Sequence, residues 1–186
     1  MASDPQASPR SNARLRSGTR IGAVVSTFHR ELTQAMLESA RRELEAAGLR
    51  REDFLVVEVP GSFELPLVAR SLAVREDIAA VLCLGLVLKG ETTHDQFIAS
   101  AASLGIAQVA LATDKPVLFG VLTCDTLEQA RARALAPENG GVHDKGREVA
   151  RAAIETLAAL ETTKTIGKQA LRMGFGAPSS TRGVET

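Results

Sequence analysis

The segment from 78 to 98 constrains the fold most, because a long apolar run leads directly into a turn and a helix start. Residues 79–88 (AAVLCLGLVL) are almost entirely apolar, which is typical of a parallel strand covered on both faces. A Lys-Gly pair ends the run, and Thr93 and Gln96 have the spacing of a capping box at a helix start. A strand that passes through a glycine turn into a helix leaves backbone N–H groups free to bind an anion, phosphate especially.

His94 lies in the first turn of this predicted helix, where the helix dipole disfavours the charged imidazolium. A neutral histidine beside a phosphate-binding turn is suited to moving protons. The alternative is structural, because His94 is in phase with Phe97, Ile98 and Ala101 and would pack half-buried on that face. Taken alone, the segment favours the structural alternative, since a lone histidine on an apolar face usually belongs to the packing.

Composition excludes several classes of function. The chain has 186 residues, 45% hydrophobic and 24% charged, as in one soluble globular domain. Its zero net charge and 3% aromatic content argue against a nucleic-acid partner. Cys83 and Cys124 lie in apolar runs without CxxC spacing, so we expect no metal site. No apolar stretch approaches ~20 residues and no secretory signal is visible, so we expect a cytoplasmic protein without a membrane partner.

The two ends of the chain differ from the middle. Residues 1–19 are rich in Ser, Arg, Pro and Asn, which predicts a flexible N-terminal arm. The arginines also fit an organelle transit peptide, although the segment is short and contains two prolines. Residues 162–186 lose apolar periodicity, which predicts a flexible C-terminal tail. A single domain then spans residues 20–161.

Strand-like and helix-like segments alternate through this domain. Strands are predicted at 21–26, 54–59, 79–88 and 116–122, and helices at 32–47, 63–73, 93–105, 125–135 and 147–160. The segment 106–112 fits either a short strand or a continuation of the third helix. Repeated βα units predict a parallel sheet with helices on both faces, a three-layer α/β/α sandwich.

Polar and aromatic side chains follow three of the predicted strands, where ligands bind in such sheets. The strand ends offer Phe28, then Ser62 and Glu64, then the turn at 89–94 with its histidine. Each has an ordinary alternative: a packed loop aromatic, a helix cap and a carboxylate favoured by a helix dipole. Their convergence on one edge favours a ligand site, because those alternatives do not predict it.

A second group does not obviously belong to that edge. Phe119 lies within the fourth strand, Arg133 within a helix, and Lys145 after a loop rich in Gly and Pro. A solvated helix face and a loop charge are the alternatives for the two cations. If the three residues serve the same site, a neighbouring subunit has to supply them.

Five motifs resemble, in order, those of the lumazine synthase (6,7-dimethyl-8-ribityllumazine synthase) family, over roughly residues 21–160. They are Phe-His at 28–29, PGSFELP at 60–66, LKGETTH at 88–94, FGVLTCDTLEQAxxRA at 119–134 and DKG at 144–146. The resemblance implies a four-stranded parallel flavodoxin-like sheet within a lumazine synthase domain, and a homopentamer with active sites between adjacent subunits. It implies a transferase of riboflavin biosynthesis that works without a metal or organic cofactor. This activity condenses 5-amino-6-(D-ribitylamino)uracil with 3,4-dihydroxy-2-butanone 4-phosphate to 6,7-dimethyl-8-ribityllumazine, releasing phosphate and water.

The resemblance also implies roles for individual residues. His94 is the implied catalytic residue, responsible for proton transfer, and Arg133 from the neighbour clamps the phosphate. The implied substrate-binding residues are Phe28, Ser62, Phe63, Glu64, Leu88, Lys89, Gly90, Glu91, Thr92, Phe119, Arg133 and Lys145. In the family pattern Phe28 stacks on the pyrimidine, and Ser62 and Glu64 hold the ribityl chain. The backbone at 88–89 binds the edge of the pyrimidine ring. Residues 90–92 form the phosphate cradle.

Three departures from the family pattern stand out. Asp95-Gln96-Phe97 replaces the usual aromatic followed by an acid, and Asp95 is either a partner of the histidine or a residue favoured by the helix dipole. His29 stands where many members have asparagine. The loop 133–145 is longer than in members that form sixty-subunit shells, which favours an isolated pentamer, with the larger shell as the alternative. Riboflavin synthase is a further candidate partner.

The rival hypothesis is a non-catalytic flavodoxin-like module, either a flavin- or pyrimidine-binding protein or a scaffold. Retention of Glu64, His94, Arg133 and Lys145 favours an enzyme, because a scaffold would not need all four. A nucleotide-handling α/β protein finds no support, since neither the P-loop pattern nor G-x-G-x-x-G occurs.

Overall fold

The computed structural model describes residues 13–172, and their side chains up to residue 166. The strands are β1 (Ile21–Ser26), β2 (Phe54–Val59), β3 (Ala80–Leu88) and β4 (Val117–Cys124). The α-helices are α1 (Arg30–Ala46), α2 (Leu65–Ala73), α3 (His94–Thr113), α4 (Leu127–Ala134) and α5 (Lys145–Arg172). Short 3-10 helices occupy Arg51–Asp53, Ser62–Glu64 and Pro137–Asn139.

The four strands form one parallel sheet in the order β2-β1-β3-β4. Helices cover both faces, which confirms the predicted α/β class. On one face α1, α4 and α5 pack over side chains that include Ala23, Val25, Leu82 and Leu84. On the other face α2 and α3 pack over Val24, Val81, Cys83 and Val121. The strand order reverses between β1 and β3, and ligands bind at such a switch point in open α/β sheets.

The predicted elements match best where an apolar run has clear punctuation. β1 and β2 have the predicted bounds, and β3 begins one residue late at Ala80. The ambiguous segment 106–112 is helical, because α3 continues to Thr113. β4 runs two residues past its predicted end at 122, since its last residues pair with Val87 and Leu88 of the long β3.

Only part of each predicted flexible end falls within the described residues. In the N-terminal arm, Leu15 packs against the core, and its N–H donates to the Ala47 carbonyl at 3.0 Å. Arg16 also forms an ion pair with Glu161 at 2.8 Å. α5 continues to Arg172, past the boundary predicted at 161. The remainder of both predicted ends, 1–12 and 173–186, lies outside the described residues.

α3 is the one helix in the described part of the chain that is long and apolar enough to cross a membrane, judged by length and composition alone. The expectation that no apolar stretch approaches ~20 residues was therefore wrong for this helix. Its residues are rich in Ala and lack Lys and Arg, and only 17% of its apolar segment is buried in the subunit.

Candidate active site

A cleft of about 670 Å³ lies at the carboxyl ends of β1, β2 and β3. It brings together most of the residues predicted for a site at this edge: Phe28, Ser62, Phe63, Glu64, Leu88, Gly90, Thr92 and His94. It is also lined by residues outside that prediction: His29, Gly61, Leu86, Val87, Asp95, Phe97 and Ile98. The helical spacing of Phe97 from His94 was the sequence signal that could have added Phe97 to the site.

The first wall of the cleft is the loop after β1. The Thr27 N–H donates to the Val59 carbonyl at 2.8 Å, and the Phe28 N–H donates to the Pro60 carbonyl at 3.2 Å. These bonds continue the β1–β2 ladder and hold the Phe28 ring at the rim, where 65% of the residue is exposed. His29 has φ 59°, in the left-handed region, and its ring meets the Phe28 ring edge-on at 4.8 Å. A non-glycine residue there costs roughly 1–3 kcal/mol, and such strain clusters at functional sites.

The second wall follows β2. Ser62 is buried, and its Oγ donates to the Leu86 carbonyl on β3 at 3.4 Å. Its hydroxyl does not cap α2, so the helix-cap alternative is wrong for this residue. Phe63 is 60% exposed and Glu64 is half-buried, and both line the cleft. The wall therefore presents an aromatic ring and a carboxylate next to a hydroxyl fixed on the sheet.

The third wall is the turn between β3 and α3. Thr93 occupies the predicted N-cap position, but its side chain makes no cap hydrogen bond, so the predicted capping box does not form. The Thr92 Oγ1 instead accepts from the His94 N–H at 3.4 Å. His94 is exposed and lines the cleft rather than packing into the core. The structural alternative for this histidine is therefore not what the structure shows.

The backbone of the same turn is available to a ligand. Within residues 13–172 the N–H groups of Gly90, Glu91 and Thr92 make no hydrogen bond, and all three residues are exposed. Lys89 is held differently, since its N–H donates to the Cys124 carbonyl at 2.9 Å. Free N–H groups that precede a helix N-terminus form a ready anion site.

Five predicted site residues do not line this cleft. Glu91 lies in the turn between two lining residues, and the Lys89 Nζ lies 3.8 Å from an Asp125 carboxylate oxygen. Phe119 is 41% exposed on β4. The remaining two are the cations Arg133 and Lys145, neither of which reaches the cleft of its own subunit.

Arg133 lies at the carboxyl end of β4. Burial raises the pKa of the Cys124 thiol at that end, and the Arg133 guanidinium opposes the rise. The Arg133 Nη1 donates to the Gln129 carbonyl at 3.4 Å along α4. Arg133 therefore lies beside the end of β4, and its side chain is exposed at this edge of the sheet.

Among the described residues, no group of three or more His, Cys, Asp or Glu side chains could hold a metal ion. The cleft itself presents imidazoles, carboxylates, hydroxyls and aromatic rings beside the backbone N–H groups of its turn.

Comparisons with known proteins point in one direction. A family model described as 6,7-dimethyl-8-ribityllumazine synthase matches residues 18–161. A protein of that name from Frankia casuarinae is 44% identical over 81% of this chain and 91% of its own length. Proteins of the same name from Thermus thermophilus and Protochlamydia amoebophila are 43% and 41% identical, over 77% and 76% of this chain and 89% and 80% of their own lengths.

Proposed function

Because the chain belongs to the 6,7-dimethyl-8-ribityllumazine synthase family, we propose how its cleft carries out the reaction of that family. The chain is a transferase of riboflavin biosynthesis. It condenses 5-amino-6-(D-ribitylamino)uracil with 3,4-dihydroxy-2-butanone 4-phosphate to 6,7-dimethyl-8-ribityllumazine, and it releases phosphate and water. Family membership supports this activity over a non-catalytic flavin- or pyrimidine-binding module.

The observation that supports the roles of individual residues is that three strand ends meet in one cleft. The exposed Phe28 ring is free to stack on the pyrimidine, and Ser62 and Glu64 offer hydrogen bonds to the ribityl hydroxyls. The backbone at 88–89 binds the edge of the pyrimidine ring. The unpaired N–H groups of 90–92 receive the phosphate.

His94 moves protons between the two substrates. The 5-amino group of the pyrimidine attacks the ketone of the second substrate, and one water leaves as the imine forms. Phosphate is then eliminated, the resulting enol becomes a ketone, and the ribityl-substituted amine attacks this ketone and closes the ring as a second water leaves. Each step transfers protons, and a positioned imidazole at the mouth of the phosphate site can relay them, for a factor of about 10²–10⁴ in rate. The amine is already a competent nucleophile, so holding the two substrates together contributes as well.

The exposed face of α3 supports assembly with further copies of the chain. Phe97, Leu104 and Leu111 are seven residues apart and are 71%, 64% and 82% exposed. This spacing places them in one stripe along the helix, the pattern of a helix that packs against other helices. We therefore assign this stripe to the centre of a homopentamer, where copies of α3 cover each other.

Assembly would also complete the active site. Phe119 lies on β4, Arg133 on α4 and Lys145 at the start of α5, and none of the three reaches the cleft of its own subunit. In the pentamer these three residues extend into the cleft of the adjacent subunit. Arg133 then meets the phosphate, because its planar guanidinium donates two parallel hydrogen bonds to such a group.

The loop between α4 and α5 supports an isolated pentamer rather than a sixty-subunit shell. It contains the 3-10 helix Pro137–Asn139, and Val142 in it is 71% exposed. A loop this long at the subunit surface interferes with contacts between pentamers. We place the enzyme in the cytoplasm, and riboflavin synthase, which would take its product, is the candidate protein partner.

The decisive experiment mixes the purified protein with both substrates and follows the absorbance and fluorescence of the lumazine product. We expect steady turnover without added metal or organic cofactor. Absence of turnover together with tight flavin binding would favour the non-catalytic module. The native mass of the same preparation tests the assembly, with five subunits expected.

A further inference from the structure

Asp144 is a buried carboxylate that precedes α5 and connects it to α1. Only 6% of the residue is exposed, and its Oδ2 accepts a hydrogen bond from the Ser39 Oγ of α1 at 2.7 Å. Its Oδ1 accepts the Arg147 N–H at 3.1 Å, which is the geometry of a helix N-cap. The Arg147 guanidinium also approaches Oδ2 at 3.1 Å, so the buried charge is paired.

The next residue but one restricts the same contact. A Cβ on Gly146 would lie 2.0 Å from the Met36 carbonyl oxygen of α1. This distance is far inside van der Waals contact, so α5 approaches α1 this closely only with glycine at 146. The start of α5 is therefore fixed by a hydrogen bond on one side and by backbone contact on the other.

Lys145 lies between these two fixed residues. Its side chain is 30% exposed, and its Nζ donates a hydrogen bond to a Glu148 carboxylate oxygen at 3.2 Å. The direction in which Lys145 leaves the backbone is set by the first turn of α5. A buried Asp-Ser pair with a charge partner is more elaborate than capping an exposed helix start requires, since an exposed serine or threonine can cap a helix.

We propose that Asp144, supported by Ser39, is a positioning residue that aims Lys145 at the active site of the adjacent subunit. The inference rests on the proposed function, in which Lys145 crosses the subunit interface. A displacement of about 1 Å in a substrate-contacting cation is enough to lower the rate strongly. Asp144 then influences the reaction only through Lys145, without touching substrate.

A double-mutant cycle on the assembled enzyme tests this dependence. The variants are Asp144→Ala, Lys145→Met and the two combined, each assayed for kcat and KM with both substrates. We expect Asp144→Ala to lower kcat/KM about tenfold, as expected for a misplaced contact. In the Lys145→Met background the same change should have no further effect on kcat/KM. Asp144→Asn keeps an acceptor for the Arg147 N–H and should retain most of the activity.

Arg151→Met is the matched control, because Arg151 also ties α5 to α1, through Glu43 at 2.7 Å, but lies further along the helix from Lys145. Arg151→Met should change kcat/KM by the same factor in the wild type and in the Lys145→Met background. Native mass and circular dichroism check assembly and folding of every variant. If Asp144→Ala does not assemble, Ser39→Ala takes its place in the cycle, since it removes only the buried hydroxyl.

Two outcomes overturn the inference in distinguishable ways. Equal losses from Asp144→Ala with and without Lys145 would show a general structural role and leave the proposed function standing. Unchanged kinetics of Lys145→Met would remove both the positioning role of Asp144 and the place of Lys145 in the active site.

Discussion

A Cβ on Gly85 would lie 2.6 Å from the Oγ of Ser62. Gly85 is buried in the middle of β3, and Ser62 belongs to the turn that follows β2. The turn therefore rests directly on the strand, and the Ser62 hydroxyl reaches the Leu86 carbonyl because residue 85 has no side chain. The glycine shapes the second wall of the cleft without lining it.

Gly85→Ala should push this wall outward. We expect the free energy of unfolding to fall by about 1–3 kcal/mol, as in other overpacked cores. The KM for the ribityl pyrimidine should rise more than the KM for the phosphorylated substrate, because Ser62 and Glu64 lie on the displaced turn. Urea unfolding and steady-state kinetics measure the two effects.

Ser62→Ala supplies the control for this substitution. It removes the Oγ that the new methyl group would meet, so Gly85→Ala should cost less stability in that background. Equal costs in both backgrounds would show that the contact between residues 62 and 85 is not the cause.

The sheet was largely predictable because its signals are local. β1 and β2 are apolar runs that end at turn residues, and their bounds match the prediction. The end of α3 was not predictable in this way, since residues 106–112 are apolar without a marked period; in the structure they continue the helix to Thr113. The capping box at Thr93 does not form because the Gln96 N–H donates to the Thr93 backbone carbonyl at 3.1 Å rather than to the Thr93 hydroxyl.

The site was predictable to the extent that it follows strand ends. Three segments that follow parallel strands must meet at one edge, so the sequence pattern alone indicates that Phe28, Glu64 and His94 lie together. The tie between Ser39 and Asp144 joins residues 105 apart in sequence, and no local pattern indicates such a pair. Under the proposed function Phe119, Arg133 and Lys145 act across a subunit interface, and a contact between chains is not tested by the structure of one subunit.

His94→Ala should leave an impaired but active enzyme. The imidazole contributes a factor of about 10²–10⁴ through proton transfer, while the other cleft residues still hold both substrates. The check is kcat in the product fluorescence assay together with binding of each substrate by calorimetry. A variant that binds both substrates and yet has no measurable turnover would contradict this division of roles.

Arg133→Ala should weaken binding of the phosphorylated substrate and leave the pyrimidine largely unaffected. Loss of a charge-assisted bidentate contact costs about 1.5–3 kcal/mol, or roughly 10–100-fold in KM. Arg131→Ala is the matched control, because Arg131 is an exposed arginine on the same helix that lies 4.0 Å from Glu31.

Subunit exchange tests whether Arg133 acts across an interface. When His94→Ala and Arg133→Ala subunits are co-expressed, some sites combine the intact His94 of one subunit with the intact Arg133 of its neighbour. Activity of the mixed assemblies should therefore exceed that of either parent. If mixing restores nothing, Arg133 and His94 do not come from different subunits.

Substitutions in the α3 stripe should break the assembly. Leu104→Glu and Leu111→Glu each place a carboxylate on the exposed apolar face, where burial against another helix would leave it unpaired. We expect the native mass to fall to that of a single subunit and activity to fall with it. Val74→Glu, at a residue that is 58% exposed after α2, is the control that should keep the native mass.

Stability at high pH should depend on Cys83, which is completely buried in β3. Burial raises the pKa of its thiol from 9.0 to about 12. The folded state thus keeps the thiol neutral where the unfolded chain ionises it, so this stabilisation is complete below about pH 9 and is lost as the pH rises towards 12. Urea unfolding at about pH 8 and about pH 10.5 should show a larger fall in the free energy of unfolding for the wild type than for Cys83→Ala. Cys124→Ala, which leaves Cys83 in place, should retain most of that fall, and equal pH dependence in the wild type and Cys83→Ala would rule out the buried thiol as its source.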